Sequence, residues 1–523
     1  MPSRLAGVPW FAPLLAVYPA LYIAVANPGQ VRPGPVAAVA AAVALAAVAV
    51  LVLLRPALRS WDRAGATVTW LALLFYGYGP VNGWWIESAV ASLEEQAAPT
   101  GWAMQSPHLL QSAAWLLLFL AGIALLRRAG DRGLAATRGI LNVAAVLLFG
   151  LLGVQSLARD APARVLAEAG TPRAVPATVA GPRPDIYVIV LDGYSRADVL
   201  REQYGFDNEP FLAALRGRGF QVAGASRANY NWTFLSLGSL LNYDYVQSLL
   251  GNGLDPSGTD REQAYRLLRD NRAAAFLRRH GYRFVQLQST WSGTGLNPLA
   301  DEFVGCQAGL FGDEYLRAFA DASWLRAASS RASMDIARCH LQNFESLAAQ
   351  GARPGPKFVL AHFLPPHHPY LFDRDGRILR HANLSDQFEF QKRLWERREP
   401  YVDQLAFVNG RILQAIDRVL ADSANPPVIL LLSDHGPNLR QGLTAQDHRR
   451  LRLANLSAVL LPGAPPSLVP DDSTPANLLR RVFNHYFDAR LPLLPDHFYV
   501  SPYSQPFAFT EVRGDGARLE PAP

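Results

Sequence analysis

Five apolar stretches in the first third of the chain constrain it more than anything else. They lie near Val8–Ala26, Val36–Leu54, Ala66–Trp85, Leu109–Leu126 and Ile140–Leu157, and none contains Asp, Glu, Lys or Arg. A bilayer takes about 20 helical residues to cross. One such run fits a buried core helix; five in series predict a membrane bundle. The first is not expected to be a cleaved signal peptide, because four more follow and it is long for a signal core.

Arginine placement predicts the orientation. Arg55, Arg59 and Arg63 fall between the second and third stretches, and Arg127, Arg128, Arg132 and Arg138 between the fourth and fifth. Between the third and fourth lie Glu87, Glu94 and Glu95 with no Lys or Arg, and between the first and second only Arg32. The N-terminus is therefore expected inside. Five crossings then leave everything after Leu157 outside, which is a multi-pass protein of the plasma (inner) membrane with an extracytoplasmic domain.

The remainder reads as a soluble domain. Residues 1–158 form the membrane region, 159–183 a tether rich in Ala, Pro and Val, 184–506 a catalytic domain, and 507–523 a polar tail expected to fray. The net charge of +6 over 523 residues comes with no dense basic block, which argues against nucleic acid. Cys306 and Cys339 both fall in the outside part, where a disulfide persists. If paired they close a loop worth roughly 3–4 kcal/mol; two separate buried thiols are the other reading.

Strand and helix signals alternate from Pro184 onward, which predicts an α/β/α sandwich with a mostly parallel sheet. Strands are expected at Asp185–Leu191, Arg283–Leu287, Phe358–Phe363, Val428–Leu432 and Ser457–Leu461. Helices are expected at Asn208–Arg218, Arg261–His280 and Tyr401–Leu420. Ligands in such sheets bind beyond the carboxyl ends of strands. There the sequence places Asp192-Gly193, His362 with Pro366-His367-His368-Pro369, and Ser433-Asp434-His435-Gly436. Thr233 precedes an apolar helical run, so its hydroxyl is expected at a helix N-terminus, which faces anions favourably. Each piece has an ordinary explanation: Asp-Gly as a turn, Thr as a helix cap, His367 and His368 as loop residues. Their joint occurrence points to chemistry. Two carboxylates and an imidazole hold a divalent cation with a position open, and a threonine hydroxyl becomes a nucleophile when metal coordination assists loss of its proton.

Four segments carry a family resemblance: PDIYVIVLDGYSRADVL at Pro184–Leu200, SRANYNWTFLSLGSLLNYDY at Ser226–Tyr245, HFLPPHHPY at His362–Tyr370, and LLSDHGP at Leu431–Pro437. In this order they resemble the sulfatase-like branch of the alkaline phosphatase superfamily. Five spans before such a domain look like lipoteichoic acid synthases and lipid A phosphoethanolamine transferases. The resemblance implies Thr233 as nucleophile and metal contact, and Asp192, Asp434 and His435 as metal ligands. It implies His367 as a substrate or second-metal contact, His448 as a weaker second-metal match, and Trp291 as a pocket residue. The arginine that accompanies that tryptophan in lipoteichoic acid synthases has no counterpart here, which counts against glycerol-phosphate specificity. Sulfatases of this branch convert the Cys or Ser of a Cys/Ser-x-Pro-x-Arg motif to formylglycine. Here the position reads Asn231-Trp232-Thr233-Phe234-Leu235, and threonine cannot undergo that conversion.

The resulting expectation is a metal-dependent phosphotransferase acting through a covalent threonine on a membrane lipid or envelope glycan, with manganese, zinc or magnesium as cofactor. A phosphodiesterase, phosphatase or other ester hydrolase of the same superfamily is the alternative. A non-catalytic membrane scaffold is a third reading, and a channel or transporter a fourth. The lack of ionisable side chains in the spans counts against the channel.

Overall fold

The computed structural model describes residues 8–27, 30–93, 101–160, 183–295, 297–306, 312–326, 332–379, 394–514 and 518–521. It divides into two compact units. Most of the stretch read as a tether, together with Glu94 and Glu95, lies outside the described residues.

The first unit begins with five helices: α1 (Phe11–Ala26), α2 (Pro33–Leu58), α3 (Trp61–Leu93), α4 (Gly101–Arg128) and α5 (Asp131–Asp160). Among the described residues, three segments are long and apolar enough to cross a membrane: Pro33–Leu58, Leu109–Arg128 and Asp131–Leu157. That is fewer than the five expected. α1 is apolar but only 16 residues long, and α3 carries Asp62, Arg63, Asn82 and Glu87 along its 33 residues. Leu45, Leu53, Leu117, Leu125, Leu147 and Leu157 are exposed on these helices, as expected where lipid rather than water is the neighbour. Some polar groups on these helices pair across them. Asn82 donates to Gln111 at 2.8 Å between α3 and α4, and Arg138 meets Asp62 at 2.7 Å.

A segment distant in sequence also belongs to this unit. Glu314–Ala332 clusters with the N-terminal helices, although its position in the chain had assigned it to the catalytic region. Its helix, Glu314–Asp321, sets Phe319 against Phe75 and Tyr76, and the Tyr315 hydroxyl donates to the Ala20 carbonyl at 3.1 Å. Gly79 has no room for a side chain there, because a Cβ would lie 2.0 Å from the Asp321 carbonyl oxygen.

The second unit is built on a seven-stranded sheet. Its strands are β1 (Ile186–Leu191), β2 (Gln221–Val222), β3 (Arg283–Leu287), β4 (Glu302–Val304), β5 (Lys357–Phe363), β6 (Val428–Leu432) and β7 (Ser457–Leu460), in the order β2-β7-β6-β1-β5-β3-β4. β6, β1, β5, β3 and β4 run parallel, and β7 pairs antiparallel with β6 and β2. Continuous apolar runs explain the parallel centre, since such strands are covered on both faces. All six residues of β1 are buried. Ile186, Val188 and Val190 face one core with Phe358, Leu430 and Phe234; Tyr187, Ile189 and Leu191 face the other with Val359, Leu431 and Leu405. At the start of the sheet the fully buried Lys357 ammonium pairs with Asp185, the partner that makes a buried cation tolerable.

All five expected strands are present. The run Arg261–His280 is two helices rather than one, Glu262–Arg269 and Arg272–Arg279, because Asn271 caps the second by accepting from the Ala274 N–H. The polar tail does not fray throughout. β8 (Tyr499–Val500), β9 (Thr510–Arg513) and β10 (Arg518–Pro521) form an antiparallel sheet, and Val512 is buried with Phe498 and Leu453.

Leu430 lies at the centre of β6 and is fully buried. Leu430→Ala is expected to lower the stability of this unit by about 2–5 kcal/mol, measured as a shift in its denaturant midpoint. A change within experimental error would mean the core is not packed as described.

Candidate metal centre

The carboxyl end of β1 delivers Asp192, and that of β6 delivers Asp434 and His435. Because β1 and β6 are parallel neighbours, the two chain ends emerge side by side. Ligand atoms of Asp192, Asp434 and His435 all lie within 4.8 Å of one another, and all three residues are buried. Two glycines permit this approach. Gly193 takes φ +68°, and a Cβ there would lie 2.8 Å from the Trp395 ring. A Cβ on Gly436 would lie 1.9 Å from the Leu451 carbonyl oxygen.

Thr233 begins the helix Thr233–Asn242, whose remaining residues are all buried. Its Oγ1 lies 3.0 Å from His435 Nε2. The nucleophile candidate and the ligand cluster, 202 residues apart in sequence, thus meet in one place. His435 Nε2 is in turn 3.1 Å from Asp434 Oδ2. The turn after β6 is braced by the Ser433 hydroxyl, which accepts from the Tyr194 N–H at 2.9 Å and donates to the His435 carbonyl at 2.6 Å. The Gly193 N–H donates to Asp434 Oδ1 at 3.0 Å.

His362, on β5, adds a group to which sequence reasoning gave no role. Its Nε2 lies 3.4 Å from Asp192 Oδ2, and its Nδ1 meets Thr294 Oγ1 at 2.8 Å. Trp291 packs edge-on against the His362 ring at 5.5 Å. The only sequence signal for His362 was a histidine at the end of a buried strand. His367 follows the same strand. Its N–H donates to the Asp192 carbonyl at 3.1 Å, and its Nδ1 lies 2.5 Å from the His368 carbonyl. Trp395, which no motif signalled, packs against both His367 and His368. Gln404 holds the loop by donating to the His367 carbonyl at 3.0 Å. His448 does not join the cluster. Its Nε2 bonds Asn438 Oδ1 at 2.8 Å, and it lines a separate cavity. Away from the site, Cys306 and Cys339 are joined as a disulfide with Cα atoms 5.1 Å apart.

Asp192 Oδ1, Asp434 Oδ2 and His362 Nε2 are buried without a hydrogen-bond partner. Buried polar atoms are normally satisfied, so unpartnered oxygens on both carboxylates of a buried ligand cluster fit a divalent cation. The charges agree. Burial would raise Asp192, but His367, the His362 contact and His435 hold it well below the ordinary carboxylate range. Burial, then the charge of Asp192, push Asp434 up to about 7. Burial and the Arg452 guanidinium keep the His435 ring well below its usual value, hence neutral, as a ligand must be.

No family model matches the chain, and a search of curated proteins finds no match. Among solved structures it is similar to the C-terminal periplasmic domain of EptC from Escherichia coli in complex with zinc, at 14% identity, covering 63% of this chain and 93% of that one with a TM-score of 0.41. It is also similar to the phosphonate monoester hydrolase of Agrobacterium radiobacter, at 15% identity, covering 60% and 75% with a TM-score of 0.38. A third likeness is to a protein in the alkaline phosphatase superfamily from Vibrio parahaemolyticus, at 13% identity, covering 66% and 84% with a TM-score of 0.39. At these identities no residue's role passes from them to this chain.

The raised Asp434 carboxyl makes cation binding depend on pH. Its unfolded value is 3.8, so between there and about 7 the cation-free fold keeps a proton that the unfolded chain has lost. The cation-free fold therefore loses stability as pH rises through that window, and a bound cation must displace the proton. Manganese or zinc is expected to raise the thermal midpoint more at about pH 8 than at about pH 5.5. In Asp434→Asn that difference is expected to vanish. Equal gains at both pH values in the wild type would contradict the assignment.

Proposed function

We propose that this chain is a membrane-anchored, metal-dependent enzyme of the sulfatase-like branch of the alkaline phosphatase superfamily, and that it transfers a phospho group through Thr233. The observation that carries the reading is the Thr233 hydroxyl at a helix N-terminus, 3.0 Å from His435 in a buried Asp192–Asp434–His435 cluster with orphaned ligand atoms. The ordered motifs around these residues support it. The N-terminal helices support a membrane anchor with the α/β unit, residues 184–506, on the extracytoplasmic side.

A divalent cation, manganese, zinc or magnesium, held by Asp192, Asp434 and His435 would ease loss of the Thr233 proton and draw charge from a phosphoryl oxygen. The chain's own residues do the rest. Thr233 Oγ forms a bond to phosphorus as the bond to the leaving oxygen breaks, and the Thr233 proton ends on that oxygen. The Leu235 and Ser236 N–H groups donate to the Trp232 carbonyl, which leaves the N–H groups of Thr233 and Phe234 at the start of the helix to meet the anionic oxygens. His367, which is partly exposed, would bind them, and Trp291, packed on His362, would wall that side. In the second step an acceptor oxygen bonds to phosphorus, the bond to Thr233 breaks, and the acceptor's proton returns to Thr233. With an alcohol on an envelope glycan or membrane lipid as acceptor this is a transferase; with water it is a phosphodiesterase. Threonine at position 233, in place of a formylglycine precursor, favours phosphate over sulfate esters.

The test is turnover of a chromogenic phosphodiester by the purified full chain, with a sulfate ester in parallel. Wild type is expected to act on the phosphodiester only. Thr233→Ala is expected to lose at least about 10³-fold in rate while keeping most of its metal, and Asp434→Asn to lose both. Comparable activity in Thr233→Ala would remove the covalent mechanism.

A further inference from the structure

A cavity of about 430 Å³ opens beside the metal centre, lined among others by Trp232, Arg261, Arg440, His448, Arg452 and Tyr503. Three of these residues carry guanidinium groups, and no carboxylate lines the cavity. None of the three arginines forms an ion pair among the described residues.

Arg452 is the most unusual. It is buried, and it donates to the carbonyls of Gly436 and Asn231 rather than to an acid. No carboxylate in the cavity lining faces its charge. A buried charge without a partner is costly, so an anion in the cavity would then be favoured.

Arg261 adds a second donor. It lies over the Tyr503 ring at 3.8 Å and donates to the Tyr503 carbonyl at 2.7 Å, but its buried Nε has no partner. Burial, then Arg452, Arg440 and Arg449 hold His448 down to about 3. His448 is therefore a neutral group in a cationic wall, poorly placed to serve as a cation ligand. Trp232 and Tyr503 pack edge-on at 5.0 Å and give the cavity an aromatic floor. Trp232 also precedes Thr233 directly, which ties the cavity to the reacting hydroxyl.

We propose that this cavity binds a second anionic group of the substrate, a phosphate or carboxylate carried on the alcohol portion of the phosphodiester whose phosphorus meets Thr233. The proposal rests on the phosphotransfer reading for the word substrate, but not for the anion site. Arg261, Arg440 and Arg452 bind the anion, and Trp232 and Tyr503 contact the linking atoms.

Two measurements on the full chain test it separately. The first is calorimetric titration of metal-free protein with inorganic phosphate. Wild type is expected to bind, and Arg261→Gln and Arg440→Gln each to bind about tenfold more weakly. Arg201→Gln, an exposed arginine elsewhere, serves as the control and is expected to bind like wild type. Absence of binding, or binding indifferent to Arg261 and Arg440, would overturn the anion site. The second compares a simple chromogenic phosphodiester with one bearing an additional phosphate on its alcohol. Arg261→Gln and Arg440→Gln are expected to raise KM about tenfold for the second substrate only. Equal effects on both would overturn the link to the substrate. If the wild type turns over neither, the phosphotransfer reading fails, and the titration alone decides the anion site.

Discussion

The placement of two carboxylates, Asp192 and Asp434, at adjacent parallel strand ends inside the protein is the constraint on which the functional unit turns. Removing such groups from water is expensive. Here each is held in place by neighbours that cannot neutralise it fully. The Gly193 N–H fixes one oxygen of Asp434, and His362 approaches Asp192, yet an oxygen of each carboxylate stays without a partner. The fold therefore maintains a local excess of negative charge aimed at one point. Such an arrangement fits a divalent cation.

The surroundings follow from that arrangement. Tight turns after β1 and β6 need glycine, and Gly193 and Gly436 supply it where a side chain would strike Trp395 or the Leu451 carbonyl. The helix Thr233–Asn242 is buried along its length, so its N-terminus cannot drift from the cluster. Arg452 sits behind His435 and bonds the strand segment leading to Thr233 through the Asn231 carbonyl. One buried guanidinium thus joins His435, the segment before Thr233 and the basic cavity. Electrostatics and packing here are the same set of contacts.

Most of the sheet was legible in the sequence. Strands buried on both faces must be continuously apolar, and DIYVIVL and VILLL have no other stable use at that length. Asp192, Asp434 and His435 were legible because ionisable groups ending such runs need a reason. The misreadings have physical causes. Asn271 interrupts the run Arg261–His280 because its side chain satisfies a backbone donor better than a continued helix would. The end of the chain forms a sheet because β9 finds partners in β8 and β10, which a polar composition does not reveal. At the N-terminus five helices stand in the unit and three described segments are long and apolar enough to cross a membrane; α3 carries polar groups that pair with neighbours such as Gln111 and Arg138.

What the sequence by itself determined is local: which runs are apolar, where they end, and which chemical groups stand at those ends. Side-chain periodicity and strand burial carry that information without reference to distant residues. Only the tertiary structure decided which ends meet. It brought Thr233 to His435 across 202 positions, set His362 beside Asp192, separated His448 from the metal cluster, and joined Glu314–Ala332 to the N-terminal helices. Strand order and helix docking depend on the complementarity of surfaces far apart in the chain, and no local pattern records it.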